Sequence, residues 1–507
     1  MKTTKKSLHR AGALLAAAAL LTLTVPTAEA AIPPTGPDSA VSWSSCPAPS
    51  PGTGPAPDPR QQCGTVDVPL DYGSPGGPQI TLAVSRLATA RPELRRGTLL
   101  MVPGGPGGSG LNGPSGAVGR LPKEVLDRYD VMGFDPRGVG RSAPVSCGLA
   151  HEDLTMTRLR PWPAPGGSVE ANATIGRRVA ETCARNGGPV IRTMSTANEA
   201  RDIDRIRQAL GERRLSLWGV SYGTYAGAVY ATRYPQHTDR VLLDSNDDPD
   251  PAKVGRGWLA AFDASAEDRF PDFAAWASAP GNPDQVADTP AAVRPLFLQL
   301  AARLDQHPLP WPGANPAELS GNALRETMLE SLYSDAKFPG LARLMLAAQG
   351  LRPLPPAATP PDDALQNTVA ASVGTLCGDV TWPGSVADHA RAVAADRLAH
   401  PLTAGMPVNL MPCSFWPYPP SEPPVRITPD GPANVLLIQN LRDPATPYAG
   451  ALKLREVFGH RARMVAVDSG GHDAYLANGN ACGDALVTDF LVTGHRPAQD
   501  TRCPAPR

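Results

Sequence analysis

The sequence lacks an excess of charge of either sign. Its 47 lysines and arginines are balanced by 48 aspartates and glutamates, so the 507 residues carry a formal net charge of -1. A chain without a basic excess has no strong electrostatic attraction for nucleic acid or for an anionic membrane surface. We therefore expect neither of these partners.

Long hydrophobic runs are also missing, except at the N-terminus. Residues 1–30 combine a basic start, an apolar stretch and the small residues Ala28 and Ala30, which is the organisation of an export signal cleaved before Ala31. The alternative is an uncleaved membrane anchor, but an apolar stretch of about 15 residues is short for a bilayer span. We expect a secreted protein without membrane attachment after cleavage of the signal.

The eight cysteines include no Cys-x-x-Cys pair and no cluster with histidine, so the spacing of a zinc site is missing and no metal is expected. An even number of cysteines in an exported protein favours disulfides. Eight cysteines allow about 105 pairings, so the connectivity stays open. We favour pairing between sequence neighbours, which closes loops within structural units: Cys46–Cys63, Cys147–Cys183, Cys377–Cys413 and Cys482–Cys503.

Short apolar runs alternate with helical segments after a Pro/Gly-rich stretch over residues 31–60. Such runs are typical of strands buried on both faces of a mainly parallel sheet. The predicted strands are Thr65–Val68, Ile80–Arg86, Thr98–Val102, Tyr129–Phe134, Leu215–Trp218, Val241–Leu243, Asn434–Gln439 and Arg463–Val467. We expect an α/β fold with a core over residues 61–245 and 425–507.

A helical cap is predicted over residues 246–424, where helical segments alternate with proline-rich loops. These segments are Ala291–Leu304, Leu324–Tyr333 and Leu341–Leu351. Within the core, a helix is predicted to begin at Thr196 as its cap, with Glu199 three residues later, and to end at Gly211. The strand that follows this helix leads directly into a glycine-bounded serine.

The segment Gly219-x-Ser221-x-Gly223 has the pattern of a nucleophile turn between a strand and a helix. A serine hydroxyl reacts only when a base removes its proton, and a sharp turn holds it clear of the backbone. Small flanking residues are needed because larger ones would collide in the turn. The alternative is an ordinary glycine-rich turn. The preceding apolar strand and the small residues that follow favour Ser221 as a nucleophile.

His472 and Asp443 are the predicted partners of Ser221. His472 follows the strand Arg463–Val467, and Asp443 follows Asn434–Gln439, so both lie where loops leave one edge of the sheet. The chain order serine, acid, histidine is typical of one group of serine hydrolases. Asp443 could instead be a turn residue before proline. Asp468 and Asp473 are competing acids, but each is too close in sequence to the histidine.

Backbone N–H groups must stabilise the oxyanion that forms during acyl transfer. Tyr222 directly follows the nucleophile and supplies one donor, and Gly105 in the glycine-rich loop after Thr98–Val102 supplies the other. This loop lacks a Gly-Lys-Ser/Thr ending and the dinucleotide-binding spacing, so phosphate binding is not predicted. The segment from Asp135 to Ser142 is expected to brace the loop by hydrogen bonds and an ion pair.

An acidic cluster follows the strand Val241–Leu243. Asp244, Asp247 and Asp248 belong to it, and Asp250 lies just beyond. Such a run is usually a solvated face or a set of caps. The functional alternative is an anionic site for the amino group of a substrate.

These motifs together resemble the secreted tripeptidyl aminopeptidase and prolyl aminopeptidase branch of the α/β-hydrolases of actinomycetes. The matching segments are Gly104-Gly105-Pro106-Gly107, Asp135-x-Arg137-Gly138-x-Gly140-x-Ser142, Gly219-Val220-Ser221-Tyr222-Gly223-Thr224, Cys377-x-Asp379, Cys413-x-x-Trp416, Asp443-x-x-Thr446-Pro447 and Gly471-His472. The resemblance implies release of short peptides from free N-termini without metal or organic cofactor. Pro103 stands where prolyl aminopeptidases have histidine, which argues against specificity for a single proline.

Three functions fit the sequence. The first is a monomeric secreted exopeptidase acting on peptides with a free N-terminus, which the resemblance favours. The second is a carboxylesterase or lipase with the same three residues, because this fold hosts many acyl-transfer reactions. The third is a binding protein that has lost catalysis, and the complete set of Ser221, Asp443 and His472 argues against it.

Overall fold

The computed structural model describes residues 41–47, 56–155, 157, 160–357 and 362–505. The predicted export signal lies outside these residues, as does most of the Pro/Gly-rich stretch over residues 31–60. Among the described residues, no helix combines the length and the apolar character that crossing a membrane requires.

A ten-stranded sheet forms the centre of the fold, and a two-stranded hairpin lies in the cap. The strands are β1 Ser44–Ser45, β2 Gln62–Pro69, β3 Gln79–Leu87, β4 Gly97–Val102, β5 Tyr129–Phe134, β6 Leu215–Val220, β7 Thr238–Asp244, β8 Leu309–Pro310, β9 Glu318–Leu319, β10 Val435–Arg442, β11 Ala462–Gly470 and β12 Thr501–Cys503. All eight predicted strands are present, and most extend one to three residues further than predicted.

The large sheet is mainly parallel, as predicted. Its order is β1-β2-β3-β5-β4-β6-β7-β10-β11-β12, with antiparallel pairs only from β1 to β5 among the described strands. Alternate residues of the central strands enter two separate hydrophobic clusters, for example Leu100 in one and Leu99 in the other. Because strand side chains alternate between faces, both faces of the sheet are buried.

Helices cover the sheet and build the cap. They are α1 Gly113–Val118, α2 Lys123–Leu126, α3 Glu170–Asn186, α4 Gly188–Ile191, α5 Thr196–Ala209, α6 Tyr222–Arg233, α7 Arg256–Ala260, α8 Phe262–Ala277, α9 Pro290–Gln306, α10 Gly321–Leu332, α11 Phe338–Ala348, α12 Asp362–Asp379, α13 Val386–Ala399, α14 Tyr448–Phe458 and α15 Ala481–Thr493. The three predicted cap helices correspond to α9, α10 and α11.

The segment between β7 and β10 has a hydrophobic cluster of its own. Phe270 and Phe273 of α8 pack in it with Phe297 of α9 and Met345 of α11. The same segment contacts the sheet region through α12, where Ser372 donates a hydrogen bond to the carbonyl of Pro106 over 2.6 Å. The cap therefore reaches the glycine-rich loop after β4.

The N-cap of helix α5 lies one residue earlier than predicted. Ser195 is the N-cap, because its hydroxyl accepts a hydrogen bond from the Asn198 N–H over 3.2 Å. Thr196, predicted as the cap, instead lies within the helix, and its side chain contacts other buried polar groups described below. Gly211 follows the helix with a φ of +67°, a conformation that favours glycine.

Four disulfides join sequence neighbours, which confirms the favoured pairing. They are Cys46–Cys63, Cys147–Cys183, Cys377–Cys413 and Cys482–Cys503. The third joins the end of α12 to the segment before β10, and the fourth joins α15 to the edge strand β12. Disulfides of this number are typical of proteins that mature in an oxidising compartment.

Candidate active site

Ser221 lies in a sharp turn between β6 and α6. Its φ of +56° and ψ of −128° are unusual for a residue with a side chain, and such strain is found mainly where a function requires it. A Cβ atom on Gly223 would lie 2.2 Å from the Val102 carbonyl oxygen, and one on Gly219 would lie 2.3 Å from the Gly223 carbonyl oxygen. Both glycines are therefore required by close backbone contacts, as predicted from the motif.

Asp443 and His472 contact each other directly. Nδ1 of His472 lies 3.0 Å from both carboxylate oxygens of Asp443. Backbone N–H groups of Ala445 and Thr446 donate to Oδ1 of Asp443 over 2.9 Å, and the Thr446 hydroxyl donates to Oδ2 over 2.9 Å. The carboxylate is completely enclosed by these donors, which fixes its orientation toward the ring.

The electrostatics of this pair favour a charged imidazole. Burial alone lowers the pKa of His472, but the charge and hydrogen bond of Asp443 outweigh it and raise that pKa to about 9. For Asp443, burial opposes ionisation, yet His472 and the backbone N–H donors hold the pKa of the carboxyl below its ordinary value. The pair can therefore stabilise an imidazolium, which a base acquires when it accepts a proton.

The loop that carries His472 is held from two sides. The His472 N–H donates to the Tyr333 carbonyl over 2.8 Å, and the two rings meet edge-on with centroids 4.9 Å apart. On the other side, the Asp473 N–H donates to the Ser245 hydroxyl over 2.9 Å. Tyr333 follows α10, so the cap contributes directly to the position of the histidine.

Asp244 connects this loop to the nucleophile turn. Its backbone carbonyl accepts the Ser221 N–H over 3.1 Å, and its carboxylate accepts the N–H groups of Ala474 and Tyr475 over 2.8 and 3.0 Å. Within the described residues, the hydroxyl of Ser221 makes no hydrogen bond to the ring of His472. Catalytic pairs are commonly looser before substrate binds.

The competing acids lie elsewhere. The carboxylate of Asp468 forms ion pairs with Arg442 and Arg502. The Asp473 carboxylate lies 4.0 Å from Nε2 of His472, on the side of the ring that faces away from Asp443. Among the three candidates from the sequence, Asp443 is the one that contacts Nδ1.

The glycine-rich loop lies beside Ser221. A Cβ atom on Gly104 would lie 3.1 Å from Cβ of Ser221. Gly105 has a φ of +123°, and a Cβ atom there would lie 2.8 Å from the backbone nitrogen of Gly107. The glycine-rich loop therefore lies against Ser221 through Gly104, and the assignment of the Gly105 and Tyr222 N–H groups to the oxyanion stays a prediction.

Asp135 braces this loop by hydrogen bonds. Its carboxylate accepts the hydroxyl of Ser109 over 2.5 Å and the N–H of Leu111 over 3.2 Å. The expected ion pair has a different location. The buried guanidinium of Arg137 pairs with Asp202 of α5 over 2.6 Å, so it joins a helix to the sheet and does not touch the loop.

The acidic cluster after β7 divides into three environments. Asp244 is buried and bound to the backbone N–H groups named above. Asp248 is half-buried and pairs with Lys453 over 2.5 Å. Asp247 is 5% exposed, and no hydrogen bond from a described residue reaches its carboxylate. Burial raises the pKa of Asp247 to about 8.

A buried polar network lies behind Tyr222. The Tyr222 hydroxyl donates to Glu199 over 2.8 Å, and Thr196 lies 2.9 Å from the same hydroxyl. Thr196 also donates to Asp379 through its hydroxyl and its N–H, over 2.6 and 2.7 Å. Burial raises the pKa of Glu199 to about 8 and that of Asp379 to about 7. This network fixes the side chain of the residue that directly follows the nucleophile turn.

A cavity of about 370 Å³ lies between α3 and α12. Ser372 lines the cavity and also donates to the carbonyl of Pro106, so the cavity adjoins the glycine-rich loop. Its walls are mainly apolar and include Trp162, Ile175, Val179, Val369 and Val373.

Sequence reasoning missed several residues of the site. Thr446 was part of the family motif but had no role assigned, although a hydroxyl three residues after an acid is placed to bind it. Tyr333, Ser245 and Glu199 meet the site only through tertiary contacts. No local pattern identifies them.

Comparison with known proteins supports the similarity of the whole chain to one family. A family model described as the alpha/beta hydrolase fold matches residues 97–339, and one described as TAP-like protein matches residues 401–503. The chain is 35% identical over 458 residues to the tripeptidyl aminopeptidase of Streptomyces lividans, covering 87% of this chain and 83% of the relative.

Two mycobacterial relatives align over a similar length. Serine protease Hip1 of Mycobacterium tuberculosis is 29% identical over 474 residues, covering 87% of this chain and 87% of the relative. Carboxylesterase B of the same organism is 30% identical over 469 residues, covering 87% of this chain and 86% of the relative. The relatives thus include both peptidase and esterase names.

Proposed function

The chain belongs to the tripeptidyl aminopeptidase family of the α/β-hydrolase fold and is a serine peptidase, and from this premise we propose that it is a secreted exopeptidase. It releases short peptides, with tripeptides as the main product, from free N-termini through an acyl-enzyme on Ser221. The observation that carries the proposal is the 3.0 Å contact between Asp443 and His472 beside the strained turn of Ser221.

In this mechanism His472 accepts the proton of the Ser221 hydroxyl as the oxygen attacks the carbonyl carbon of the third residue of the substrate. Asp443 holds the ring in the required tautomer and stabilises the imidazolium. The N–H groups of Gly105 and Tyr222 donate to the oxyanion. His472 then protonates the leaving amine, the peptide bond breaks, and water activated by the same ring hydrolyses the ester.

The acidic cluster offers a site for the substrate amine. Asp247 is the member best suited to it, because its carboxylate is buried and has no hydrogen-bond donor among the described residues. A nearly buried carboxylate without a protein donor is costly to ionise, and an ammonium group would offset part of that cost. Asp244 and Asp248 would contribute negative charge, since their own partners are already in place.

Secretion is supported by the four disulfides and by the predicted export signal. The largely apolar cavity between α3 and α12 adjoins the glycine-rich loop through Ser372 and offers space for substrate side chains.

A secreted carboxylesterase is the second candidate, and the 30% identity to carboxylesterase B favours it. The deciding experiment compares kcat/KM for a tripeptide amide, its N-acetylated form and a simple aryl ester. An exopeptidase prefers the free amine by at least tenfold, whereas equal rates for the free and blocked peptides, with a faster ester, would identify an esterase.

The nucleophile is tested separately with Ser221→Ala. Both activities should fall by several orders of magnitude while the folded state is retained, since only one oxygen is removed. Ser146→Ala, at an exposed serine, serves as the matched control and should keep full activity. Comparable turnover by the Ser221 variant would exclude this serine.

A further inference from the structure

Three metal-ligating side chains converge in the cap, away from the proposed catalytic residues. Asp263 lies in α8, Asp396 lies in α13, and His400 follows the end of α13. Each offers one carboxylate oxygen or ring nitrogen, and these three atoms all lie within 4.8 Å of one another. The cluster joins two helices that are more than a hundred residues apart in the sequence.

Two atoms of the cluster are buried without a partner. Asp396 is only 8% exposed, and its Oδ2 atom has no hydrogen-bond partner among the residues that the structure describes. Nδ1 of His400 is likewise buried without a partner there, whereas Nε2 of the same ring is the nitrogen that approaches Asp263. Buried polar atoms are nearly always satisfied by protein, water or an ion, because leaving them bare costs free energy.

In the part of the chain that the structure describes, the two carboxylates of the cluster also lack a neighbouring lysine or arginine that would balance their negative charge. Over the described ranges, neither Asp263 nor Asp396 forms an ion pair with a lysine or an arginine. Their one ion-pair contact among the described residues is the 3.9 Å approach of Nε2 of His400 to Asp263. Two neighbouring carboxylates, one of them buried, repel each other when both are ionised. A cation between them removes that repulsion.

We propose that Asp263, Asp396 and His400 form a binding site for a divalent cation, and that Zn²⁺ is the ion that fits it best. One imidazole nitrogen with two carboxylate oxygens is a ligand set that zinc accepts, with water as the fourth ligand. Calcium and magnesium prefer oxygen ligands throughout, so the histidine disfavours them.

The three ligand atoms need to move only slightly closer together to coordinate one zinc ion. Zinc–ligand bonds of about 2.0–2.2 Å place tetrahedral ligand atoms about 3.4 Å apart, compared with separations of up to 4.8 Å here. The side chains of Asp263 and His400 are 20% and 31% exposed, so both can rotate toward the more buried Asp396. The remaining shift of roughly 1.4 Å is within the reach of a side-chain torsion.

The role of this site is structural. A bound ion would tie the start of α8 to the end of α13 and so stabilise the cap, whose helices also carry Tyr333 toward His472. The proposal is independent of the exopeptidase assignment, because none of the three ligands belongs to the catalytic residues.

The test measures zinc binding to the purified full chain after treatment with EDTA and dialysis. Isothermal titration with ZnCl₂ should give one tight site per chain, and CoCl₂ should give the intense visible absorption of tetrahedral Co²⁺. Asp396→Asn and His400→Gln should each weaken Zn²⁺ binding at least tenfold and remove the Co²⁺ absorption. His151→Gln, which removes an exposed histidine paired with Asp362, is the matched control and should bind like the parent.

Thermal unfolding gives a second readout. Zn²⁺ should raise the Tm of the parent and of the His151 variant, and should leave the Tm of the Asp396 and His400 variants unchanged. His400 is partly exposed, so its variant remains informative if the Asp396 variant does not fold. Absence of a stoichiometric site in the parent, or equal affinity in parent and ligand variants, would overturn the proposal and leave a proton shared between the two carboxylates as the explanation of the cluster.

Discussion

Asp244 holds Ser221 by a 3.1 Å hydrogen bond from the Ser221 N–H to its backbone carbonyl. The same residue uses its side chain to bind two N–H groups just beyond His472. One residue at the end of β7 therefore fixes both the nucleophile turn and the histidine loop. This explains why an acid at that position is completely buried.

The first prediction follows from this double contact. Asp244→Asn keeps the size of the side chain but places an amide NH₂ against one of the two N–H donors. We expect kcat/KM to fall roughly tenfold to a hundredfold, because a hydrogen bond to a charged group is worth about 1.5–3 kcal/mol. Asp239→Asn, which breaks a surface ion pair at the other end of β7, should leave kcat/KM unchanged. An Asp244 variant with full activity would show that this side chain does not position the loop of His472.

The second prediction concerns Thr446, whose hydroxyl donates to Asp443 and lies 3.5 Å from Nδ1 of His472. Thr446→Val removes this donor, so the carboxylate can rotate away from the ring. We expect kcat to fall by about tenfold or more with little change in KM. Thr446→Ser keeps the hydroxyl and should restore most of the activity. Equal activity of the valine and serine variants would show that the hydroxyl has no positioning role.

The third prediction is the pH dependence of the reaction. The free enzyme needs a neutral His472, and Asp443 raises the pKa of that ring to about 9. The value of kcat/KM should therefore rise about tenfold per pH unit below that pKa and level off above it. Asp443→Asn removes the negative charge that raises the pKa of His472. The apparent pKa in the rate profile should therefore move down toward about 6.5, while kcat falls steeply. If kcat/KM of the parent enzyme does not change between pH 7 and pH 9, the catalytic base does not have a pKa near 9.

The ion pair between Asp443 and His472 also contributes to the stability of the folded chain. Because the folded pKa of His472 lies above its unfolded value, the stabilisation by the ion pair is complete below about pH 6.5 and disappears as the pH rises through about 9. The measured Tm of Asp443→Asn should therefore differ from that of the parent more at pH 6 than at pH 10.

Glu199 gives the fourth prediction. Burial raises its pKa to about 8, so the folded chain holds a proton that the unfolded chain releases near pH 4.5. Stability should fall by about 1.4 kcal/mol per pH unit between these values. Glu199→Gln imitates the protonated acid, and we expect it to keep the hydrogen bond from Tyr222 and to raise the Tm at pH 9. If the Tm difference between variant and parent does not depend on pH, Glu199 does not titrate in this range.

The sequence was sufficient to predict the sheet and the sharp turn around Ser221 because both depend on local patterns. Central strands buried on both faces need continuous apolar residues, as in Tyr129–Phe134, whose bounds the structure reproduces. The nucleophile turn needs Gly219 and Gly223 because of backbone contacts within a few residues. Cysteine pairing was also accessible, since sequence neighbours closed loops within single units.

The contacts between the cap and the core could not be predicted in this way. Tyr333 meets His472, and Ser372 meets Pro106, through packing of elements that are distant in the sequence. Glu199 had the spacing of a capping box, but the buried hydroxyl of Tyr222 attracts its carboxylate instead. Local rules describe hydrogen bonds within one helix, whereas these side chains are satisfied by neighbours from other elements.

The last prediction tests the recognition of the substrate amine by Asp247. If its carboxylate binds the ammonium group, Asp247→Asn should raise KM for a free tripeptide amide at least tenfold and leave the N-acetylated peptide unaffected. Because burial raises the pKa of Asp247 to about 8, binding of the ammonium must displace a proton, so KM of the parent should fall as the pH rises toward 8. The asparagine variant should lose this pH dependence.

Asp250→Asn is the control for this experiment, because Asp250 belongs to the same acidic run but lies on a half-exposed turn and pairs with Lys253. It should behave like the parent on both substrates. Equal losses on the free and the acetylated peptide in Asp247→Asn would mean that the carboxylate acts on His472, whose charge lies close enough to influence it. In that case the amine must be bound by another group of the cap, and the preference for free N-termini would survive the mutation.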